Sequence, residues 1–268
     1  MRTQHIAPLT VRICPKNGRS FAGPLWFDQF AEILQRGASF SISADSRNEI
    51  LERYWMDEDD QPLEQTPESF LIVSVLLELG LGVVAIILGL TLGPDPRDVL
   101  PLPGQWTQIG AGLGWGILAA IPILIAIQLI ELLPLQPIRD LQKATEERLL
   151  GAMAKLRTLD LLTVSICAGV GEELLFRGWL MMSLAGPMGQ WEPGVLIPAV
   201  IVSSIIFGIA HPITPAYIVI TGLIGLYLAM LLVWSENLLV PIAAHAFYDF
   251  IQLILATRAL KSETSKDT

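Results

Sequence analysis

The sequence predicts an all-α protein: a polytopic membrane bundle of about six transmembrane helices behind a short polar N-terminal helical region. Two observations predict this. The 268 residues are 52% hydrophobic and only 16% charged, with a mean hydropathy of +0.55, well beyond what a soluble core requires. Six segments also approach the roughly 20 apolar residues that a helix needs to cross a hydrocarbon layer of about 30 Å.

Taken in order, residues 1–68 are polar and carry two short amphipathic patterns. Phe27, Phe30, Ala31 and Leu34 recur at helical spacing within Leu25 to Arg36, ahead of Gly37, and Ile50, Leu51, Tyr54 and Trp55 cluster within Ser46 to Trp55. The region closes on an acidic run, Asp57 to Glu68, expected to be a solvated linker. Arg2 is followed by no apolar core or small-residue cleavage site, so the N-terminal region is expected to stay in the mature protein. Residues 69–133 hold the first two spans, Phe70 to Leu92 and Ile109 to Leu133. Residues 134–158 place Leu141, Leu149, Met153 and Leu156 among charges, the pattern of a helix lying on the membrane surface. Residues 159–257 supply Leu159 to Leu184, Val195 to His211, Thr214 to Trp234 and Leu238 to Thr257, and residues 258–268 form a polar tail.

Cationic residues set the orientation. Arg139, Lys143, Arg148, Lys155 and Arg157 fall in the loop from Pro134 to Thr158, and Arg258, Lys261 and Lys266 in the tail, whereas the opposite loops show only Arg97. An excess of Lys and Arg marks the cytoplasmic side, so both termini are expected in the cytoplasm and the protein in the cell membrane. The net charge of −9 argues against nucleic acid as a partner. Cys14 and Cys167, the only cysteines, are too far apart in sequence and setting to suggest a disulfide framework or a cysteine zinc site.

The first two spans each carry a carboxylate, Glu78 and Glu131, and three places break the apolar pattern of the last four: Glu172-Glu173 with Arg177, the stretch Phe207 to His211, and the stretch His245 to Asp249. A charge at the bilayer centre costs about 2.5–3.5 kcal/mol on insertion scales, so such groups face a bundle interior or a polar cavity. Glu173 and Arg177 stand at i and i+4, where carboxylate and guanidinium meet on one helix face and neutralise each other. Glu172 lies about 100° round the helix from Glu173 and lacks that partner. His245 and Asp249 also share a face, which suits an imidazole held in one tautomer by a carboxylate.

Together these groups can activate water. Glu172 with His211 can take a proton from a water aimed at a peptide carbonyl, while His245 and Asp249 orient that water or stabilise the oxyanion. Alternatively, Glu172, His211 and His245 are a carboxylate and two imidazoles of the kind that hold a catalytic zinc. No H-E-x-x-H helix is present. A G-x-S-x-G elbow is also missing, and Cys167 has no histidine nearby in sequence, so activated water is better supported than a side-chain nucleophile. Two other functions use similar groups: a catalytically silent scaffold or immunity protein that binds a peptide, and a proton-coupled transporter, against which the lack of an internal repeat counts.

The three motifs, Glu172-Glu173-x-x-x-Arg177, Phe207-x-x-x-His211 and His245-x-x-x-Asp249, resemble in order those of the CAAX protease and bacteriocin-processing family, also called the Abi or type II CAAX prenyl endopeptidase family. The resemblance implies an intramembrane endopeptidase acting on a membrane-bound or lipidated peptide. Glu172 would be the general base, His211 would help activate water, His245 with Asp249 would serve the oxyanion, and Glu173, Arg177 and Phe207 would support them. Eukaryotic members often have Asn at the last position. An ionised Asp249 would repel an oxyanion, so it is protonated, orients His245, or accompanies a metal. The favoured mechanism needs no cofactor; Zn2+ is the alternative. Residues 1–158 gain no role from the resemblance.

Counting at 1.5 Å per residue puts Glu172 and His245 about 20 Å from the cytoplasmic side, yet leaves His211 at the cytoplasmic end of its short segment. Pro212 and Pro215 interrupt the helix there, so the turn is expected to be buried in the bundle, with His211 within about 10 Å of Glu172.

Overall fold

The structure, a computed structural model, describes residues 66–145, Met153 and residues 155–264. The helices expected within Leu25 to Arg36 and Ser46 to Trp55, the acidic run before Thr66, and Leu149 lie outside the described residues. Among the described residues every regular element is helical.

Helix α1 (Pro67–Leu92) starts where Pro67 fixes the first helical dihedral and the Thr66 hydroxyl accepts a hydrogen bond from the Ser69 N–H at 3.2 Å. Only Phe70, Ser74, Gly82, Ala85 and Gly89 are buried along it, a narrow and mostly small stripe, while Leu76, Val83 and Leu90 are exposed. A short 3-10 turn (Pro96–Val99) follows; in it the Arg97 side chain grips the Asp95 carboxylate and holds it below the usual carboxylate range. Helix α2 (Trp106–Glu131) buries Gly112, Gly116, Ala120 and Ile123, again one stripe at spacings of three and four. Helix α3 (Gln136–Thr145) is the amphipathic piece expected after Pro134, and it buries Ile138. Met153 and Leu156 pack with Phe70 and Leu161, so this part of the connection is fastened to the bundle.

Helix α4 (Thr158–Glu173) runs without a break into a π-helical stretch, Leu174–Met181, and one last α-helical turn, Met182–Ala185. Its buried residues, among them Val164, Ser165, Cys167, Ala168, Gly169, Glu172 and Glu173, surround the axis, as expected of a helix with neighbours on all sides. Helix α5 (Pro193–Ile209), α6 (Pro215–Ser235) and α7 (Leu239–Thr264) complete the fold. Helix α6 ends at Glu236, whose φ of 50° lies in the left-handed region that stops a helix.

All six apolar segments are helical, with ends within a few residues of those expected except at the C-terminus of α7. Four of the described helices, α1, α2, α6 and α7 as far as Ala259, are long and apolar enough to cross a membrane, and α5 is a shorter apolar helix. Helices α1 and α7 both pack on α4, α2 packs on α7, and α5 pairs with α6 while touching the π-helical stretch. Such contacts between apolar helices depend on close backbone approach.

The tightest approach is at Gly171. A Cβ there would stand 1.8 Å from the Glu78 carbonyl oxygen, and Gly82 faces the same spot from α1. Gly171→Ala is therefore expected to force α1 away from α4 and lower stability by about 1–3 kcal/mol or more. Thermal unfolding in detergent checks this, with Gly80→Ala, where a Cβ meets nothing within 4 Å, as the control on the facing helix α1.

Candidate active site

Glu172 and Glu173 end the regular part of α4, and the π-helical stretch carries Arg177. A π-helical turn adds a residue to the helix and often marks a functional site. Despite it, Glu173 and Arg177 still meet, Nη1 to Oε1 at 2.6 Å, with both side chains essentially inaccessible. Arg177 does more than neutralise Glu173. Its Nη2 donates to the Gly225 carbonyl of α6 at 3.0 Å, and its guanidinium carbon lies 4.1 Å from the centre of the Phe207 ring of α5. One buried guanidinium thus ties three elements together. A side chain on Gly225 would collide with that arrangement, since its Cβ would be 2.9 Å from Phe207 Cδ1 and 3.1 Å from Arg177 Nη2.

Glu173 has a second role that the i,i+4 spacing did not reveal. Its Oε1 also lies 2.8 Å from His245 Nδ1 on α7. A carboxylate can only accept, so Nδ1 carries the proton and Nε2 is turned the other way. The tautomer-holding carboxylate expected at Asp249 is therefore Glu173. Asp249 lies on the far side of the ring, its Oδ2 3.4 Å from Nε2. The reason is interhelical: α4 and α7 approach closely where a Cβ on Gly169 would be 3.0 Å from Ala246, which carries Glu173 up to the imidazole. Tyr248 stacks on His245 with centroids 5.2 Å apart and planes 10° from parallel, a support that sequence inspection missed.

Glu172 and His211 are brought together. His211 Nε2 is 3.6 Å from Glu172 Oε2, well inside the expected 10 Å, although the turn after α5 is half-buried and not enclosed in the bundle, and His245 Nε2 is 4.0 Å from the same oxygen. Helix α5 stops at Ile209, which leaves the Phe207 carbonyl among its last, unpaired acceptors. The His211 N–H bonds instead to Gly208, and Nδ1 of its ring lies 2.8 Å from the Phe207 carbonyl. The carbonyl can only accept, so this proton is fixed too and Nε2 points at Glu172. Phe207, 1% exposed, touches both imidazoles, with centroids 4.8 Å from His211 and 6.1 Å from His245, and packs edge-on against Phe176 at 5.0 Å.

The result is two imidazole Nε2 atoms gathered round one buried oxygen, Glu172 Oε2, which itself makes no hydrogen bond, with the Asp249 carboxylate against the His245 Nε2. The His211 and Asp249 side chains are 25% and 29% exposed, against 10% for Glu172 and 3% for His245, so the site opens on the side of the first two.

Two ligands of a tetrahedral zinc, each at about 2.0–2.1 Å, stand roughly 3.4 Å apart. The 3.6 Å between Glu172 and His211 comes close, but the 4.0 Å between Glu172 and His245 does not. No group of three His, Cys, Asp or Glu side chains among the described residues is arranged to hold a metal. The donors as placed do not close around a zinc ion.

Residues 154–251 match a family model described as type II CAAX prenyl endopeptidase, Rce1-like. The matched stretch contains Glu172, Glu173, Arg177, Phe207, His211, His245 and Asp249. No curated protein and no solved structure matches the chain.

Proposed function

We propose that the region matching the type II CAAX prenyl endopeptidases makes this integral membrane protein an intramembrane endopeptidase, one that hydrolyses a peptide bond in a membrane-associated, CAAX-type lipidated substrate. The family match supports a protease. The observation that carries the mechanism is the buried, unbonded Glu172 Oε2 with His211 Nε2 at 3.6 Å and His245 Nε2 at 4.0 Å.

A water within hydrogen-bond reach of Glu172 Oε2 and His211 Nε2 is activated when Glu172 takes one of its protons. The hydroxide adds to the scissile carbonyl carbon, and negative charge develops on the carbonyl oxygen. His245 is the group placed to meet it. Its Nδ1–H is held by Glu173, so Nε2, once protonated, donates to the oxyanion, and Asp249 at 3.4 Å steadies that protonated form. An ionised Asp249 therefore acts on the imidazole and need not touch the oxyanion. Collapse of the intermediate breaks the C–N bond as the proton on Glu172 passes to the leaving nitrogen, which restores the carboxylate. In this proposal both termini and the open side of the site face the cytoplasm of the cell membrane, a reading supported by the cationic residues of the loop and tail.

The experiment is direct. Purified protein in liposomes is given matched peptides with and without a C-terminal prenyl group, and products are read by mass spectrometry. Cleavage of the prenylated peptide is expected, and failure to cleave any membrane peptide would remove the proposal. A strong chelator is expected to leave the rate within about twofold; a loss that added zinc restores would replace Glu172 as the direct activator of water.

A further inference from the structure

Glu78 of α1 belongs to none of the three motifs, yet it stands beside the site. The α1–α4 contact at Gly171 is made by the Glu78 backbone itself, next in sequence to Glu172. Depth agrees: Glu78 lies eleven residues into α1 and Glu172 fourteen into α4, about 17 and 21 Å at 1.5 Å per residue. Glu172, His245, Asp249 and His211 are all near enough to act on its charge. Among the described residues its carboxylate has neither a hydrogen bond nor an ion pair, and its Oε2 is buried.

Without it, each carboxylate of the site has a cationic or imidazole partner. Glu173 is paired through Oε1 with Arg177 and His245, Glu172 with His211, and Asp249 with the other side of His245, although Oε2 of both Glu172 and Glu173 accepts no hydrogen bond. Four carboxylates share one guanidinium and two imidazoles, and Glu78 is the one among them with no ion pair to another described residue. Glu78 is half-buried with its Oε2 enclosed, and an enclosed carboxylate oxygen without a donor carries a cost that is relieved by whatever brings a donor to it. A cationic side chain is the best such donor, because a charge-assisted bond in a desolvated setting is about twice as strong as a neutral one.

We propose that Glu78 is a specificity-determining residue that receives a basic side chain, Lys or Arg, of the peptide substrate close to the scissile bond. This inference rests on the endopeptidase reading of the same site. It implies that the enzyme selects among membrane peptides by charge as well as by any lipid.

The test uses the full-length protein in liposomes and a cleavable peptide in which Lys is moved through the positions flanking the scissile bond. Each Lys peptide is paired with a norleucine twin of nearly the same shape. The wild type is expected to prefer at least one Lys peptide by about tenfold or more in kcat/KM. Glu78→Gln, which keeps the shape, should reduce that preference to within about twofold; Glu78→Asp should keep part of it, and Glu78→Lys should transfer it to a Glu peptide. Unfolding in detergent shows that each variant is folded. A preference unchanged in Glu78→Gln, or an equal loss on both twins, overturns the proposal. Failure of the endopeptidase reading is distinct, since the wild type would then cleave nothing. Binding of the twins to Glu172→Gln, with and without Glu78→Gln, still measures the preference, and its absence there would sink Glu78 independently.

Discussion

Glu172→Gln is expected to reduce peptide hydrolysis by about 10²–10⁴-fold while leaving the fold intact. Gln fills the same volume, so the helix packing round residue 172 is kept, but an amide cannot accept and return the proton of a water. Loss of a positioned general base is worth roughly that factor. The variant should still bind substrate, so kcat should fall much more than KM rises. His211→Ala should fall by a similar amount, and the double variant should be little worse than either single one, because the two groups act on one water. Single-turnover cleavage of a prenylated peptide by purified protein measures this. Equal rates for wild type and Glu172→Gln would remove Glu172 from the mechanism and favour the peptide-binding scaffold as the function.

Arg177→Leu is expected to have the largest effect on stability, about 3–5 kcal/mol, because it leaves Glu173 in a site with no access to solvent and only His245 as a partner. Leucine also abandons the Gly225 carbonyl and the face of Phe207. Arg177→Lys should recover only part of the loss, since an ammonium cannot reach carboxylate, carbonyl and ring in one plane. Adding Glu173→Gln to Arg177→Leu should restore some stability by removing the orphaned charge. It should not restore hydrolysis, because His245 would still lack the carboxylate that fixes its Nδ1 proton. Unfolding in detergent, run beside the activity assay, separates the two effects. Full activity in the double variant would show that Glu173 only neutralises Arg177.

The seven candidate residues lie on three separate apolar segments, and their identities were legible because an ionisable group in lipid is expensive enough to stand out. Their partners were less legible. The i,i+4 rule found Glu173 with Arg177, since one helix contains both, but spacing along α7 suggested Asp249 as the keeper of the His245 tautomer when the keeper is Glu173 on α4. His211 shows the same limit: linear counting left it at a helix end, where it stands half-buried two residues past α5, and the packing of α5 on the π-helical stretch brings it within 3.6 Å of Glu172. Gly225 and Tyr248 carry no local signal that separates them from ordinary residues of an apolar helix, and Glu78 stands out as a carboxylate in the first span but belongs to no motif that would tie it to the site.

Hydropathy and period are local quantities, fixed by residues a few positions apart, so the sequence by itself determined the six helical segments, their approximate ends and the polar groups they carry. How deep each helix sits and how it is rotated are decided elsewhere, by contacts such as Gly171 on Glu78, Gly169 on Ala246 and Gly225 on Phe207, between residues far apart in the chain. Lipid solvates apolar faces about as well as a neighbouring helix does, so hydrophobicity alone does not choose among rotations. Close packing and buried hydrogen bonds make that choice, which is why the tertiary structure, and not the order of residues, placed two imidazoles against one carboxylate.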